Sequence, residues 1–260
     1  MKNKVLTIIL LFCASTLFAQ TIAPKKCNTC GKPLAQCQYK GKHPSTTKEK
    51  GQSMTSGVSA PTGTYNGYGW VDLGLPSGTR WATMNVGASS PSDYGSYFAW
   101  GETSPKSSYT WENLRYCLDT TGDKFSKYVV GSQYGNVDGK EELDLCDDAV
   151  NANWGRGWRM PTTVQIDELR AQCKWTWTSM GGHNGYKVVG PNGKSIFLPA
   201  VGYRHDSSSD DVGLGGNYWS STLGIFNSRF AFYLTFNSSN INWVSDFRYF
   251  GHSIRAVLAP

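Results

Sequence analysis

The sequence predicts an α+β protein with mainly antiparallel sheets. Three observations support this: most apolar residues alternate with polar ones over short runs, turn residues separate those runs, and only two or three segments show helical periodicity. The length of 260 residues fits one large domain or two small ones. The main domain has about 195 residues, enough to bury a core without disulfides.

The first 20 residues have the layout of a secretory signal peptide. Two lysines precede a short apolar run at residues 5–12, and small residues precede an expected cleavage near Gln20. The run is too short to cross a bilayer, and no later apolar stretch is long enough. We therefore expect residues 1–20 to direct export to the periplasm, the cell surface or the medium. Cys13 leaves lipid anchoring open as an alternative.

The net charge of +6 comes from the N-terminal part of the chain. Residues 21–60 contain seven Lys and one Glu, whereas residues 61–260 contain 16 basic and 18 acidic residues. A nucleic-acid-binding domain would carry a basic surface, so we expect no nucleic-acid partner. The N-terminal lysines are interpreted as a solvated tail, with weak attraction to an anionic surface as the alternative.

Residues 21–43 contain a Cys/His pattern, C-x2-C-x6-C-x5-H, formed by Cys27, Cys30, Cys37 and His43. Three thiolates and one imidazole can complete a tetrahedral Zn²⁺ site, and the segment has few apolar residues to order it otherwise. Four protein ligands leave no position for a catalytic water, so such a zinc would be structural. Disulfides, favoured outside the cell, and an unstructured thiol-bearing tail remain the alternatives.

Residues 44–64 are rich in Ser, Thr, Gly and Pro and lack apolar periodicity, which predicts a flexible linker. The main domain is therefore expected to span residues 65–260. A short helix is expected after Ser90, because Pro91 suits the first helical position. A second helix is predicted over Glu141–Asn151 from its apolar spacing.

The longest predicted helix begins after Thr162. Thr162 and Gln165 fit a capping box, in which each side chain bonds the backbone N–H of the other residue. Ile166, Leu169 and Cys173 then share one helical face, and Cys173 is interpreted as a small core hydrophobe. The other two cysteines of the domain, Cys117 and Cys146, are candidates for a disulfide.

The remaining segments predict strands. Residues 186–198 form a predicted hairpin around a Pro-Asn-Gly turn, and residues 240–247 and 252–258 are the expected last strands. In residues 229–236, alternation predicts a buried face. That face consists of Phe230, Phe232, Leu234 and Phe236.

Six motifs occur in order along the domain: VDLGLPSGTRWATMNVG, YFAWGET, NWGRGWRMPT, SIFLPAVGYR, NYWSST and GHSIRAV. Together they resemble the domain family named after the Fibrobacter succinogenes major paralogous domain, which is common in exported proteins of Bacteroidota. The resemblance covers residues 65–260. It implies a C-type-lectin-like fold, related to that of the formylglycine-generating enzyme, and it assigns no activity.

The sequence departs from these relatives at their functional residues. The Glu-Pro-Asn, Gln-Pro-Asp and Trp-Asn-Asp triplets of sugar-binding C-type lectins are absent, so we expect no Ca²⁺ by the usual lectin route. The late cysteine pair of the formylglycine-generating enzyme is also absent. The acidic clusters at residues 144–148 and 206–211 are interpreted as solvated loop or helix-terminus acids, with Ca²⁺ ligation as the alternative, and the sequence His205-Asp206-Ser207 is interpreted as a polar loop.

Aromatic and polar residues late in the chain predict a ligand-binding surface, since Tyr, Trp, Arg and Asn are common in contact surfaces. The resemblance implies the same region, because lectin-like variable receptors bind ligands there. The candidate residues are Tyr218, Phe226, Asn227, Arg229, Asn242, Trp243, Arg248 and Tyr249. The alternative is that the large rings fill the core, as expected for Trp219 and Trp243 and for Trp70, Trp81, Trp100, Trp154 and Trp158 in the motifs.

These features predict an exported, non-catalytic module that binds a glycan or a protein outside the cell. One alternative is a structural or adhesin-type component that assembles through its aromatic surface. Another is an enzyme of unknown chemistry on a scaffold like that of the formylglycine-generating enzyme.

Overall fold

The computed structural model describes residues 57–225 and 227–258, all within the second of the two units into which the chain divides, Ser56–Pro260. This part of the chain contains thirteen strands, two α-helices and a short 3-10 helix. In chain order they are β1 Gly63–Tyr65, β2 Tyr68–Asp72, β3 Arg80–Asn85, the 3-10 helix Ser132–Tyr134, α1 Ala149–Trp154, β4 Trp158–Arg159, α2 Thr163–Gln172, β5 Lys174–Met180, β6 His183–Val189, β7 Ser195–Pro199, β8 Tyr203–His205, β9 Ser208–Asp210, β10 Gly215–Leu223, β11 Phe230–Asn237, β12 Ile241–Phe247 and β13 Arg255–Leu258.

The strands form four sheets, in which every strand pair is antiparallel. The largest has the order β1-β2-β3-β13-β4, so the last strand inserts beside strands from the start of the domain. The other sheets are β5-β6-β7, β10-β11-β12 and β8-β9. The predicted α+β class with mainly antiparallel strands is confirmed. In the described residues, no helix has the length and apolarity needed to cross a membrane.

Helix α2 begins as the sequence predicts. The Thr162 hydroxyl accepts a hydrogen bond from the Gln165 N–H at 3.3 Å, and the Gln165 side chain accepts one from the Thr162 N–H at 3.1 Å. Ile166 and Leu169 are buried, and Cys173, just beyond the helix, packs partly buried against the same core. The helix thereby covers one part of the β10-β11-β12 sheet.

The predicted helix over Glu141–Asn151 is wrong for most of its length, because helix α1 begins only at Ala149. The preceding backbone pairs with β10 instead: the Leu143 N–H donates to the Ser221 carbonyl, and the Leu223 N–H donates to the Glu141 carbonyl. The helix predicted after Ser90 is also wrong. There the Asp93 carboxylate accepts bonds from Ser89 and Ser90 and closes a turn.

The hairpin and the last two strands are confirmed as β6, β7, β12 and β13. The domain starts earlier than predicted, since residues 57–64 are not all linker. The Ser59 N–H donates to the Ser195 carbonyl at 3.2 Å, and Gly63–Tyr65 forms a strand. These bonds fix the start of the domain against β7.

The core confirms the packing role of most tryptophans. Trp81, Trp100, Trp154, Trp158 and Trp219 are buried, whereas Trp70 is half-buried beneath the Arg80 guanidinium, 4.8 Å from its ring centre.

The candidate disulfide between Cys117 and Cys146 is not formed. Cys117 is a free thiol that donates to the Asp119 carbonyl at 3.1 Å. Cys173 is also a free thiol, and burial, with the nearby Glu168 carboxylate, raises its pKa to about 11. Burial also raises the pKa of the Cys117 thiol, so both thiols are protonated at neutral pH.

Candidate functional site

One face of the β10-β11-β12 sheet carries a row of partly exposed aromatic rings. Phe230 lies opposite Phe247 in the ladder between β11 and β12, and Phe232 lies opposite Ser245. Side chains two residues apart on a strand point to the same face, so Phe230, Phe232, Trp243 and Phe247 share this face. We call these four residues the aromatic face.

The rings of the aromatic face contact each other in pairs. Phe230 and Phe247 stack with ring centres 4.6 Å apart, and Phe232 meets Trp243 edge-on at 4.9 Å. All four side chains are half-buried. Such pairs hold their rings in fixed orientations, which limits the entropy that a ligand must remove.

Two loop residues, Trp111 and Tyr249, extend the aromatic face at its Phe247 end. Trp111 lies 5.4 Å from Phe247 and 4.6 Å from Tyr249, measured between ring centres. Gly122 lies beneath this tryptophan, and a Cβ added there would come within 2.6 Å of the indole. The glycine, with φ of +75°, allows the Trp111 ring to lie flat against the loop.

A cleft of about 330 Å³ adjoins the other end of the aromatic face. Phe232, Trp243, Leu223 and Ile225 supply most of its apolar wall, and Ile225 is 62% exposed. Its remaining lining residues are Val130, Glu141, Thr163, Thr222 and Gly224. An apolar wall with a few polar groups is the usual composition of a site for a small ligand.

The polar groups of the cleft have fixed positions. The Thr222 hydroxyl donates to a Glu142 carboxylate oxygen at 2.5 Å and accepts a bond from the Thr163 N–H at 3.2 Å. The other Glu142 oxygen accepts from the Ser221 hydroxyl at 2.5 Å. These bonds join the strand β10 to the segment before helix α1 and to the start of α2.

Several of the predicted contact residues lie at or beside this site. Trp243 lines the cleft and Tyr249 contacts Trp111, whereas the exposed Asn242, next to Trp243 on β12, points to the opposite face of the sheet. Asn227 is half-buried, and its side chain accepts a bond from the Arg229 N–H at 3.0 Å. Phe226 lies outside the described residues, as do Cys27, Cys30, Cys37 and His43 of the predicted zinc site.

Arg229 is held beside the aromatic face by its own partners. Its guanidinium pairs with Asp123, donates to the Gly122 carbonyl at 2.9 Å and lies 5.9 Å from the ring centre of Tyr134. The side chain therefore braces the loop that supports Trp111, and 31% of it stays exposed.

The prediction of a surface role is wrong for Tyr218. Its side chain is 2% exposed and belongs to the main core. The hydroxyl donates to the Pro199 carbonyl at 2.6 Å and accepts a bond from Asn85 at 3.3 Å. Burial raises the pKa of this phenol well above 10, so it acts as a neutral donor within the core.

The same prediction is wrong for Arg248, which is fully buried. Its guanidinium donates to the carbonyls of Ser228 at 3.0 Å and Tyr128 at 3.3 Å, and it lies 4.9 Å from the ring centre of Trp100. Burial lowers its pKa to about 10, so the group is still charged at pH 7. Carbonyl dipoles and ring faces stabilise this charge inside the domain.

Alternation along the strand predicted core positions for Phe230 and Phe232, and no sequence pattern selected Phe247 or Trp111. The expected burial is correct for Leu234 and Phe236, which pack in the same core as residues of α2. The apolar alternation of β11 continues from Leu234 and Phe236, which helix α2 covers, to Phe230 and Phe232, which it leaves partly exposed. Period-two spacing shows which residues share a face of the sheet, but it does not show how much of that face a helix covers. No feature of the local sequence marks the limit between the covered and the exposed part of this face.

Asp144, Cys146 and Asp147 are grouped closely enough to hold a metal ion, with ligand atoms within 4.8 Å of one another. The Lys127 ammonium, however, lies 2.6 Å from a carboxylate oxygen of each aspartate. Burial would raise the pKa of Asp147, but bonds from Lys127 and from two tyrosines outweigh it and lower that pKa. Lys140 also pairs with Asp144 and Arg115 with Asp147, so cationic side chains already balance both carboxylates and we assign no ion to this group.

Comparison of the chain with protein-family models, with curated proteins and with solved structures found no match. Function is therefore inferred from the geometry of the aromatic face, the adjoining cleft and the sequence motifs.

Proposed function

We propose that this chain is an exported, non-catalytic binding module that recognises a glycan or a protein through the aromatic face and its adjoining cleft. The observation that carries the proposal is the row of four half-exposed rings, side by side on paired strands and next to a cleft of about 330 Å³. Large rings left partly open to solvent on a soluble protein mark interaction sites.

The platform under the rings supports this function. Strand β11 pairs with β10 on one side and β12 on the other, and Tyr233 on its opposite face packs against Trp219. A platform anchored in this way loses little conformational entropy when a ligand binds. Rigid rings next to adaptable polar groups are typical of contact surfaces.

The composition of the site suits a ligand with both apolar and hydrogen-bonding faces. Sugar rings present C–H groups on one face and hydroxyls at the edge, and exposed peptide segments offer a similar mixture. Phe232 and Trp243 can pack against the apolar part, while Thr222 and Glu141 can bond the polar edge.

We further propose that the domain belongs to the major paralogous family, with a C-type-lectin-like fold and export by its signal peptide. Six motifs in order and an α+β architecture with two helices support this assignment. Structural Zn²⁺ at the Cys/His segment is part of the same proposal. Metal analysis and thiol titration of the full chain test it, and a chain without metal and without accessible thiols in residues 21–43 would indicate disulfides instead.

The binding proposal is tested on arrays of glycans and of extracellular proteins. We expect a ligand whose signal falls by about tenfold or more in Phe232→Ala and in Phe247→Ala, since buried aromatic contacts carry much of the affinity in interfaces. Tyr65→Ala is the matched control, because it removes an exposed ring from the separate β1-β2-β3-β13-β4 sheet. Thermal melting should show that all three variants are folded.

Two results would contradict the proposal. One is a ligand bound equally well by the wild type and both phenylalanine variants. The other is no array signal together with concentration-dependent self-association in light scattering, which would instead support the assembly role. In that case Phe232→Ala should reduce the association.

A further inference from the structure

A second group of rings lies on the opposite side of the same sheet. Tyr203, His205 and Phe250 have ring centres 5.6 to 6.0 Å apart in all three pairs, and their planes lie within 35° of each other. Tyr203 stacks against both His205 and Phe250, and these two rings are tilted against each other, so the three rings form one compact cluster. We call them the aromatic shelf, and all three are half-buried.

The position of the shelf follows from His252. This ring contacts Tyr203 at 6.2 Å and Tyr233 at 4.5 Å, between ring centres. Tyr233 alternates with Phe232 on β11, so its side chain points away from the aromatic face. The shelf therefore lies on the side of β11 opposite Phe232, although Phe250 also contacts Phe247 at 6.0 Å, so the two surfaces adjoin at that end of the aromatic face.

Four aspartates surround the shelf: Asp206, Asp210, Asp211 and Asp246. Burial raises the pKa of the Tyr203 phenol, and the carboxylates of Asp210, Asp211 and Asp246 raise it further. Burial, followed by the carboxylates of Asp206 and Asp246, has the same effect on the neighbouring Tyr249. The carboxylates thus create a negative potential at the ring faces.

Little positive charge balances these aspartates among the described residues. The Arg204 guanidinium points to the rings of Tyr97 and Tyr109, 6.0 and 5.9 Å away. The ion-pair partners of Asp206, Asp210 and Asp246 are histidines: His205 lies 2.9 Å from Asp210, and His252 lies 3.5 Å from Asp246.

His252 is fully buried, and neither ring nitrogen has a hydrogen-bond partner within the described part of the chain. The 3.5 Å from its Nε2 to Asp246 is too long for a strong bond. Burial lowers its pKa, so the ring is neutral at pH 7 and leaves the Asp246 charge uncompensated. The unpartnered imidazole and the Asp246 carboxylate therefore leave hydrogen-bonding capacity and negative charge unused beside the shelf.

We propose that the aromatic shelf and its four aspartates bind the ammonium groups of a lysine-rich segment of a partner protein. Ring faces attract cations, and carboxylates at the rim add to that attraction. The same charges repel nucleic acids, acidic glycans and anionic membranes. The site does not depend on the function proposed for the aromatic face.

The test uses fluorescence anisotropy with a labelled, end-capped octalysine peptide and the full chain. We expect binding that weakens as salt is raised from about 0.01 M to about 0.15 M. Tyr203→Leu, which removes the ring face, and Asp246→Asn, which removes one charge, should each weaken binding by about fivefold or more. Tyr203→Phe keeps the ring and should bind within about twofold of the wild type.

Asp167→Asn is the matched charge control, since Asp167 is an exposed aspartate on helix α2. It and Phe232→Ala should leave peptide binding unchanged. The proposal is overturned if the wild type does not bind octalysine, if Tyr203→Leu and Asp246→Asn bind like the wild type, or if Asp167→Asn weakens binding equally. Binding of an uncharged octaglutamine peptide with similar affinity would also overturn it.

Discussion

The carboxylate of Asp148 accepts a hydrogen bond from the backbone N–H of Met160, twelve residues later, at 2.8 Å. Its other oxygen caps helix α1 by accepting bonds from Val150 at 2.7 Å and Asn151 at 3.3 Å. One buried side chain thus fixes both the start of α1 and the chain that leads into α2.

Asp148→Ala should therefore lower the free energy of unfolding by about 2–4 kcal/mol, since it removes a cap and leaves a buried N–H without a partner. Asp148→Asn should cost less, because its amide oxygen still accepts one of these bonds. Burial also raises the pKa of the Asp148 carboxyl, so the charge itself is unfavourable there. Urea unfolding of both variants measures the difference, and an alanine variant within 0.5 kcal/mol of the wild type would contradict it.

Arg248→Ala should lower the free energy of unfolding by about 3 kcal/mol or more, because it opens a cavity and removes the donor to two buried carbonyls. Arg248→Met fills the space and should cost less. Arg229→Ala is the exposed counterpart and should cost about 1 kcal/mol or less, as for other surface ion pairs. Chemical denaturation of the three variants ranks them, and equal costs for Arg248→Ala and Arg229→Ala would contradict the buried role.

The contrast between α1 and α2 shows what the sequence could predict. The capping box of α2 is complete within four residues, so its start could be predicted from local sequence. The segment before α1 has similar helical spacing, but its backbone pairs with Ser221 and Leu223, about 80 residues away. Local periodicity contains no information about such a partner.

The sequence selected Trp243 and Tyr249 at the candidate site, but it did not select Phe230, Phe232 or Phe247 as exposed residues. Residue type favoured exposure of Tyr218 and Arg248, but both side chains are buried. There Tyr218 donates to the Pro199 carbonyl and Arg248 donates to the Tyr128 carbonyl. Alternation predicted that Phe232 shares a face with Leu234, and this is correct. Helix α2 covers only part of that face. The covered part is set by tertiary contacts, and the residues next to Phe232 in the sequence do not indicate it.

Gly190→Ala should destabilise the domain strongly, because the new Cβ would lie 2.1 Å from the Leu73 carbonyl oxygen, a backbone atom that cannot move aside. We expect a loss of about 3 kcal/mol, the upper range for overpacking. Gly193→Ala, in the same β6-β7 turn, is the matched control. It has open space but a φ of +81°, so only backbone strain of about 1 kcal/mol applies. Thermal and urea unfolding should separate the two, and equal losses would contradict this account.

The stability of the domain should depend on pH through His252. Its ring stacks on the Trp219 indole with centres 4.0 Å apart, and burial lowers its pKa below 6.5, although the Asp246 carboxylate acts in the opposite direction. The unfolded chain binds a proton here near pH 6.5, whereas the folded chain does so only at lower pH. Between the pKa of His252 in the folded chain and its pKa in the unfolded chain, the unfolded state binds more protons, so the free energy of unfolding rises with pH.

Lowering the pH from 7 towards 5 should therefore decrease the free energy of unfolding by up to about 1.4 kcal/mol per pH unit from this residue. His252→Asn should remove that part of the slope, whatever its effect on stability at pH 7. His205→Asn, at a partly exposed histidine, should retain it. Urea unfolding at several pH values measures the slopes, and an unchanged slope in His252→Asn would show that this histidine is not the group responsible.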